Sequence, residues 1–201
     1  EGVSINSKQI KKGNLFIAIK GKNHDGHIFA KEALKNKANY CVVKNNINKI
    51  DKKKLIICPN TNSFLNKLAK LKRKHTKSKI IAITGSSGKT TLKTLIGKTL
   101  SEYGRTFFSK KSYNNHIGVP LSLCNLENNN KYGVFEVGMS NAGEIRRLSS
   151  LIKPDIAIIT NIGEAHIENF NNLNGIAKAK SEIIENINKG GHLILNRDEK
   201  Y

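Results

Sequence analysis

The sequence predicts an α/β protein made of a small α/β domain followed by a larger parallel-sheet domain. Three observations support this fold class. Short apolar runs alternate with stretches that have apolar residues at helical spacing, which is typical of a parallel sheet covered by helices. The apolar run at residues 80–83 leads directly into a glycine-rich turn and a helical pattern. A lysine-rich stretch at residues 70–79 separates the two halves, and we place the domain boundary between residues 77 and 78.

The first domain, residues 1–77, contains three apolar strand patterns and two helical patterns. Residues 13–20 (GNLFIAIK) follow a lysine-rich turn and predict the first strand. Residues 27–37 predict a short amphipathic helix that turns Phe29, Ala33 and Leu34 inward. The remaining predicted elements are strands at 38–44 and 54–58 and a helix at 61–74.

The second domain, residues 78–201, alternates strand and helix throughout. Such alternation predicts a parallel sheet flanked by helices, in which ligands bind at the carboxyl ends of the strands. Polar residues that directly follow a strand are therefore the candidates for function. The predicted strands are 79–84, 132–137, 154–160 and 192–196, and the predicted helices are 89–103, 141–150 and 174–188.

The segment IIAITGSSGKTT, residues 80–91, has the pattern of a phosphate-binding loop. Gly85 and Gly88 allow the backbone to curl so that its N–H groups point at an anion, and the helix that follows adds its positive dipole end. Lys89 can reach the outer phosphates of a nucleotide, and Thr90 can place its hydroxyl on Mg²⁺. The spacing is shorter than the common Walker form, and the alternative is an ordinary glycine-rich turn with a solvated lysine. The predicted ATP-binding residues are Gly85, Ser86, Ser87, Gly88, Lys89, Thr90 and Thr91.

Polar residues elsewhere in the second domain extend this candidate site. Glu136 closes the apolar segment YGVFEVG, just before Gly138, where a carboxylate can hold Mg²⁺ directly or through water, or can simply face solvent. His166 follows the next predicted strand, but imidazole is a weaker ligand for Mg²⁺ than oxygen donors are. Asn114 and Asn115 precede an apolar segment and offer amide donors and acceptors, although a plain turn would have the same pattern.

Composition limits the classes of partner. The net charge is +20, but it comes from 30 Lys and only 5 Arg, and 26 Asn accompany them. This is a general bias towards Lys and Asn rather than an arginine-rich groove, and there is no Trp for base stacking, so we expect no nucleic-acid partner. The three cysteines show no C-x-x-C spacing, which favours a reducing compartment. No apolar run approaches the length of a membrane span.

Six segments occur in the order found in the Mur ligases, and the chain resembles that family over nearly its whole length. They are TGSSGKTT, YNNHIGVPLSL, EVGMSNAGEI, IKPDIAIITNIGEAHIENF, GIAKAKSEII and LILNRDE. The segment EVGMSNAGEI favours the branch that adds a D-alanyl-D-alanine dipeptide, because the sister ligase that adds the third amino acid tends to carry E-V-S-S-H there. The segment INSKQIKKGNLFIAIKGKNHDGHIFAKEAL is similar to the small uridine-nucleotide domain that these two ligases share.

The resemblance implies a role for each catalytic candidate. Lys89 would contact the β- and γ-phosphates of ATP, and Thr90 would hold Mg²⁺. Glu136 and His166 would help to bind a magnesium ion. Lys180 matches the lysine that these ligases carbamylate, and a carbamate there would hold a second Mg²⁺ because CO₂ converts the cation into an anion.

The resemblance also implies substrate-binding residues. Ser7 matches the serine of a D-S-R motif that reads Asn6-Ser7-Lys8 in this chain, so Lys8 stands in place of the arginine that usually contacts the diphosphate. Asn114 and Asn115 match asparagines on the substrate side of the site.

The reaction that the resemblance implies is the ATP-dependent joining of D-alanyl-D-alanine to UDP-N-acetylmuramoyl-tripeptide through an acyl phosphate. This is a cytoplasmic step of peptidoglycan synthesis, which supports cell shape and cell division, and we expect a monomer. The family also uses a third, carboxyl-terminal domain outside this sequence, so we expect an incomplete second domain and no activity from residues 1–201 alone. Two alternatives stay open: a related ligase with another acceptor, such as the third-residue Mur ligase or a folate polyglutamate ligase, and a nucleotide-binding module without turnover.

Overall fold

The computed structural model describes residues 2–21, 24–109 and 111–201, which form two compact units. The units divide between Ala69 and Lys70, within a helix, and not between residues 77 and 78. The last turn of that helix is held by the second unit, because the Arg73 guanidinium donates hydrogen bonds to the carbonyl oxygens of Ile152 and Lys153. Within the described residues, no helix combines the length and the apolar character needed to cross a membrane.

The first unit is built on a four-stranded parallel sheet in the order β1-β2-β3-β4. Its core contains Phe16, Ala33 and Cys41, all fully buried. The predicted helix at 27–37 is two elements, a 3₁₀ turn at Gly26–Phe29 followed by an α-helix. The elements are β1 (Val3–Ser4), β2 (Leu15–Ile17), α1 (Ala30–Lys35), β3 (Tyr40–Val43), β4 (Leu55–Ile57) and α2 (Thr61–His75), the last of which continues into the second unit.

The second unit is built on a five-stranded parallel sheet in the order β6-β7-β5-β8-β9. The apolar strand β5 is central and pairs with β7 on one side and β8 on the other, so the residues after these three strands meet at one edge. The elements are β5 (Lys79–Thr84), α3 (Lys89–Ser101), β6 (Thr106–Phe108), α4 (Gly118–Cys124), β7 (Tyr132–Glu136), α5 (Glu144–Ile152), β8 (Ile156–Ile159), α6 (Leu173–Ser181) and β9 (His192–Leu195).

The predicted alternation of strand and helix in the second unit is confirmed, with three main differences besides shifts of one or two residues at the ends of elements. Strand β6 and helix α4 were not predicted, because β6 has only three residues and α4 contains Pro120, which is tolerated in the first turn of a helix. Helix α5 begins at Glu144 rather than at 141, after Gly143 in the left-handed conformation. The predicted helix 174–188 is α-helical only to Ser181 and continues as a 3₁₀ helix, Glu182–Asn186.

Helix α3 packs its apolar face on the sheet beside the glycine turn. Ile83 of β5 and Val134 of β7 are fully buried in this core, and Leu92 and Ile96 of α3 pack against them. Gly97 lets the helix approach β6, since a Cβ there would lie 2.4 Å from the Phe108 ring. These contacts hold the amino end of α3, which begins at Lys89, at the carboxyl edge of the sheet.

Candidate nucleotide-binding site

The loop between β5 and α3 needs its first glycine for two reasons. Gly85 has φ +145°, a conformation that other residues rarely adopt, and a Cβ there would lie 1.8 Å from Thr160 Oγ1 at the end of β8. Gly88 has φ +75° and precedes α3, but a Cβ there would have no neighbour within 4 Å. Gly85 is therefore required for packing as well as for backbone geometry.

Replacing Gly85 with Ala is expected to lower the free energy of unfolding by roughly 2–5 kcal/mol, because the clash adds to the backbone strain. The control is Gly190→Ala, which also has a positive φ, +77°, but no neighbour within 4 Å of the added Cβ. The control should lose roughly 1–2 kcal/mol. Urea unfolding of both variants measures the difference, and equal losses would contradict the packing role of Gly85.

Hydrogen bonds fasten this loop to the segment that follows β8. The Ser86 amide donates to the Asn161 carbonyl at 3.0 Å, and the Ser86 hydroxyl donates to the Gly163 carbonyl at 2.9 Å. The Ser87 amide donates to Asn161 Oδ1 at 2.9 Å, and the Thr160 hydroxyl donates to the Ser87 carbonyl at 2.7 Å. The loop is thus held in shape by backbone and side-chain groups of the segment that follows β8.

Lys89 curls back over the loop that precedes it. Its ammonium donates to the carbonyl oxygens of Gly85 at 2.7 Å and Ser86 at 3.1 Å. Burial lowers the pKa of Lys89, and the negative charge of Glu136 partly offsets this effect. A cation lying over a glycine loop at a helix amino terminus is the arrangement that binds the phosphates of a nucleotide.

Glu136, at the end of β7, is 3% exposed and is bonded through both carboxylate oxygens. Oε1 accepts a hydrogen bond from the Asn114 side chain at 2.8 Å. Oε2 accepts one from the Thr90 hydroxyl at 2.8 Å and lies 3.5 Å from the Lys93 ammonium. A carboxylate beside a threonine hydroxyl in the first turn of α3 is an oxygen donor set that fits Mg²⁺, which commonly takes only one or two protein ligands in such sites.

A cavity of about 310 Å³ opens beside the loop and brings most of the predicted site residues together. Lys89, His166 and Lys180 all line it. Lys180 lies on α6 and is 3% exposed, and its burial together with the charge of Lys89 lowers its pKa to about 8. The other predicted site residues on its wall are Gly85, Ser86, Asn114 and Asn115.

His166 faces the cavity from a left-handed backbone position, with φ +64°. Its side chain is 48% exposed, and its Nδ1 lies 3.7 Å from Glu168. Across the described residues, no three His, Cys, Asp or Glu side chains cluster as a metal site, and no recorded contact joins His166 to Glu136. That His166 and Glu136 help to bind a magnesium ion stays a prediction.

The two asparagines differ in their contacts. Asn114 bonds to Glu136, as described above, and its carbonyl oxygen accepts from the Gly138 amide at 2.8 Å. Asn115 uses its side-chain oxygen to accept from the amides of Ile117 and Gly118 at the start of α4. Asn114 therefore helps to position the Glu136 carboxylate, while the side-chain oxygen of Asn115 accepts hydrogen bonds at the amino terminus of α4.

Ser7 lies in the first unit and is 4% exposed. Its hydroxyl donates to the Glu32 carboxylate at 2.7 Å, and its carbonyl oxygen accepts from Asn36 at 2.9 Å. Because the Ser7 hydroxyl donates its proton to Glu32, it is not free to donate to a ligand in this arrangement. A substrate-binding role for Ser7 stays a prediction.

Sequence reasoning missed three charged residues of the second unit, one of which lines the cavity. Lys93 is fully buried beside Glu136. The sequence pattern that could have revealed it is a lysine among the apolar residues of α3 that face the core. Glu182 is 6% exposed and accepts hydrogen bonds from the amides of Gly143 and Arg146, so it caps α5. Arg147, on α5, lines the cavity. Neither Glu182 nor Arg147 carries a local pattern that marks it.

A central parallel strand, a glycine loop, a lysine at the helix start and a buried carboxylate on the adjacent strand define a P-loop α/β domain. The model of the Mur ligase middle domain matches residues 83–201, which is more than half of the chain, and the model described as "Mur ligase family, catalytic domain" matches residues 1–73. The chain belongs to the Mur ligase family.

Relatives and solved structures agree with this assignment. The UDP-N-acetylmuramoyl-tripeptide–D-alanyl-D-alanine ligase of Rickettsia prowazekii is 41% identical over 96% of this chain and 43% of its own length. A crystal structure of MurF from Acinetobacter baumannii superposes with a TM-score of 0.87 at 33% identity, covering 98% of this chain and 44% of that chain. MurF ligase from Thermotoga maritima in complex with ADP gives 0.83 at 31% identity, covering 98% and 46%. The chain spans less than half the length of these relatives.

Proposed function

We propose that this chain is the ATP-binding part of a ligase that joins D-alanyl-D-alanine to UDP-N-acetylmuramoyl-tripeptide during peptidoglycan synthesis in the cytoplasm. The observation that carries the proposal is the cluster in which Lys89 covers the glycine loop while Thr90 bonds to buried Glu136. The similarity to ligases named for this reaction supports the choice of substrates. The ADP complex of the Thermotoga relative supports a nucleotide in the loop.

In this proposal the residues act mainly by positioning and by offsetting charge. The terminal carboxylate of the tripeptide attacks the γ-phosphorus of ATP, ADP leaves, and the amine of D-alanyl-D-alanine then displaces phosphate from the acyl phosphate. Lys89 binds the β- and γ-phosphates and offsets the charge that develops on the oxygens. Thr90 and Glu136 would hold a magnesium ion, which supplies Lewis-acid stabilisation of the phosphoryl oxygens.

Lys180 fits the second part of the proposal, a carbamate that holds another magnesium ion. Carbamate formation requires a neutral amine, because only an unprotonated nitrogen has the electron pair that attacks CO₂. The lowered pKa of Lys180, about 8, provides more neutral amine near pH 7 than an exposed lysine does. Its place on the wall of the same cavity as Lys89 and His166 supports a role near the phosphates.

A nucleotide-binding module without turnover is the second candidate. The exposure of Ser87 in the loop favours it, since transfer of a phosphoryl group to a carboxylate requires that water be excluded from the γ-phosphate. In multidomain ligases such exclusion comes from closure of another domain over the site. Residues 1–201 alone should therefore bind nucleotide weakly and should not ligate.

Phosphate release from ATP tests both candidates. A full-length ligase, in which this chain is continued to the length of its relatives, should release phosphate only when UDP-N-acetylmuramoyl-tripeptide and D-alanyl-D-alanine are both present. Residues 1–201, assayed beside it, should release less than a tenth as much. Release that depends on a different acceptor would exclude the proposed substrates, and similar rates for the two polypeptides would contradict the need for closure. The same preparations, measured by light scattering, test the expected monomer.

A further inference from the structure

Lys93 is a buried cation that packing alone does not explain. Its side chain is fully buried, one turn after Lys89 on α3. Its neighbours on this helix, Leu92 and Ile96, pack on the apolar core. An ammonium that leaves water loses its hydration, whereas an apolar side chain of similar volume would pack there without that cost. The reason for a charge at this position must lie in what it faces.

The Lys93 ammonium faces the carboxylate of the candidate magnesium site. It lies 3.5 Å from Glu136 Oε2, which is also the oxygen that accepts the Thr90 hydroxyl bond. Its remaining recorded contacts are the Lys111 carbonyl oxygen at 3.0 Å and the Ser109 hydroxyl at 3.4 Å. Lys93 therefore stands against the very oxygen that a metal ion beside Thr90 would use.

The charges around this oxygen sum to a positive value before any ligand is bound. Lys93 contacts Glu136 directly, and Lys89 interacts with Glu136 electrostatically. Within the part of the chain that the structure describes, no second carboxylate is recorded in contact with this group. The two lysines and one carboxylate together repel a free divalent cation. The negative charges of a bound nucleotide triphosphate would make the net charge of the site negative and so attract the metal.

We propose that Lys93 makes metal binding at Glu136 and Thr90 conditional on the nucleotide. The Lys93 ammonium balances the negative charge of Glu136 when no metal is present. The site therefore binds Mg²⁺ together with a nucleotide triphosphate but binds Mg²⁺ alone only weakly. Lys93 is thus a positioning residue that also keeps the carboxylate in place when no metal is present. The inference rests on the proposed nucleotide site, but it concerns the order of binding and not the reaction.

Binding of Mn²⁺, followed by the loss of the free-ion electron paramagnetic resonance signal, tests this inference. The wild-type full-length ligase should bind Mn²⁺ in the presence of a non-hydrolysable ATP analogue and at least about tenfold more weakly without it. Lys93→Met should bind Mn²⁺ alone about tenfold more tightly than the wild type does. Lys98→Met, an exposed lysine on the same helix, is the matched control and should behave as the wild type.

The outcomes separate the two proposals. Analogue binding by the wild type with no gain of Mn²⁺ affinity in Lys93→Met would overturn the inference and leave the nucleotide site intact. Failure of the analogue to bind the wild type would overturn the proposed function itself. Lys93→Gln removes the charge while keeping a donor for the Lys111 carbonyl, so it replaces Lys93→Met if circular dichroism shows that the methionine variant is unfolded. A merely structural role for Lys93 would give weaker or unchanged Mn²⁺ binding in both variants.

Discussion

Replacing Lys89 with Ala in the full-length ligase is expected to reduce kcat by 10²- to 10³-fold, which corresponds to about 3–4 kcal/mol of lost transition-state stabilisation. Residues 85–88 carry no formal charge, and the ammonium of Lys89, which directly follows them, lies 2.7 Å from the Gly85 carbonyl oxygen. Removing the charge takes away a cation that would offset the negative charge that develops on the γ-phosphoryl oxygens. Steady-state phosphate release at saturating ATP measures the effect.

Lys98→Ala is the matched control for this experiment, because Lys98 is exposed on the same helix and should leave kcat within about twofold. Circular dichroism and urea unfolding would establish that both variants are folded. A Lys89→Ala variant that keeps more than about a tenth of wild-type kcat would show that the loop does not position the reacting phosphates.

Replacing Lys180 with Ala is expected to abolish ligation, and added acetate should partly restore it. In the proposed site the lysine acts as a carbamate anion, and its removal leaves a cavity that a short carboxylate can enter. Lys178→Ala, an exposed lysine on the same helix, should keep wild-type activity and show no response to acetate. Wild-type activity in Lys180→Ala would remove this residue from the catalytic set.

The pKa of Lys180 gives this second prediction a pH dependence with a defined sign. With a pKa of about 8, about a tenth of the amine is neutral at pH 7, whereas less than a thousandth of an ordinary lysine is neutral there. At a fixed, limiting concentration of dissolved CO₂, wild-type activity should therefore fall as the pH decreases through 8, because protonation removes the nucleophilic amine. Saturating CO₂ should weaken this dependence, and a profile that does not respond to CO₂ would contradict the carbamate.

The loop and the elements on either side of it could be predicted closely from the sequence. The strand predicted at 79–84 has those bounds in the structure, and the following helix begins at Lys89 as expected. These features are local, because the apolar run, the glycines and the helical spacing lie within about 20 adjacent residues. Local patterns did not predict β6, which has only three residues, or the change from α-helix to 3₁₀ helix after α6.

The sequence by itself determined the class of this protein, the glycine loop between β5 and α3 and the polar residues that follow its strands. Only the tertiary structure decided which of those residues meet. The bond from Thr90 to Glu136 spans 46 residues, and it exists because β7 lies between β5 and β6 in the sheet although it follows both in the chain. Strand order depends on long-range packing, which no local pattern encodes, and the same packing buries Lys93 against Glu136. The charge balance of the site is therefore a property of the folded chain.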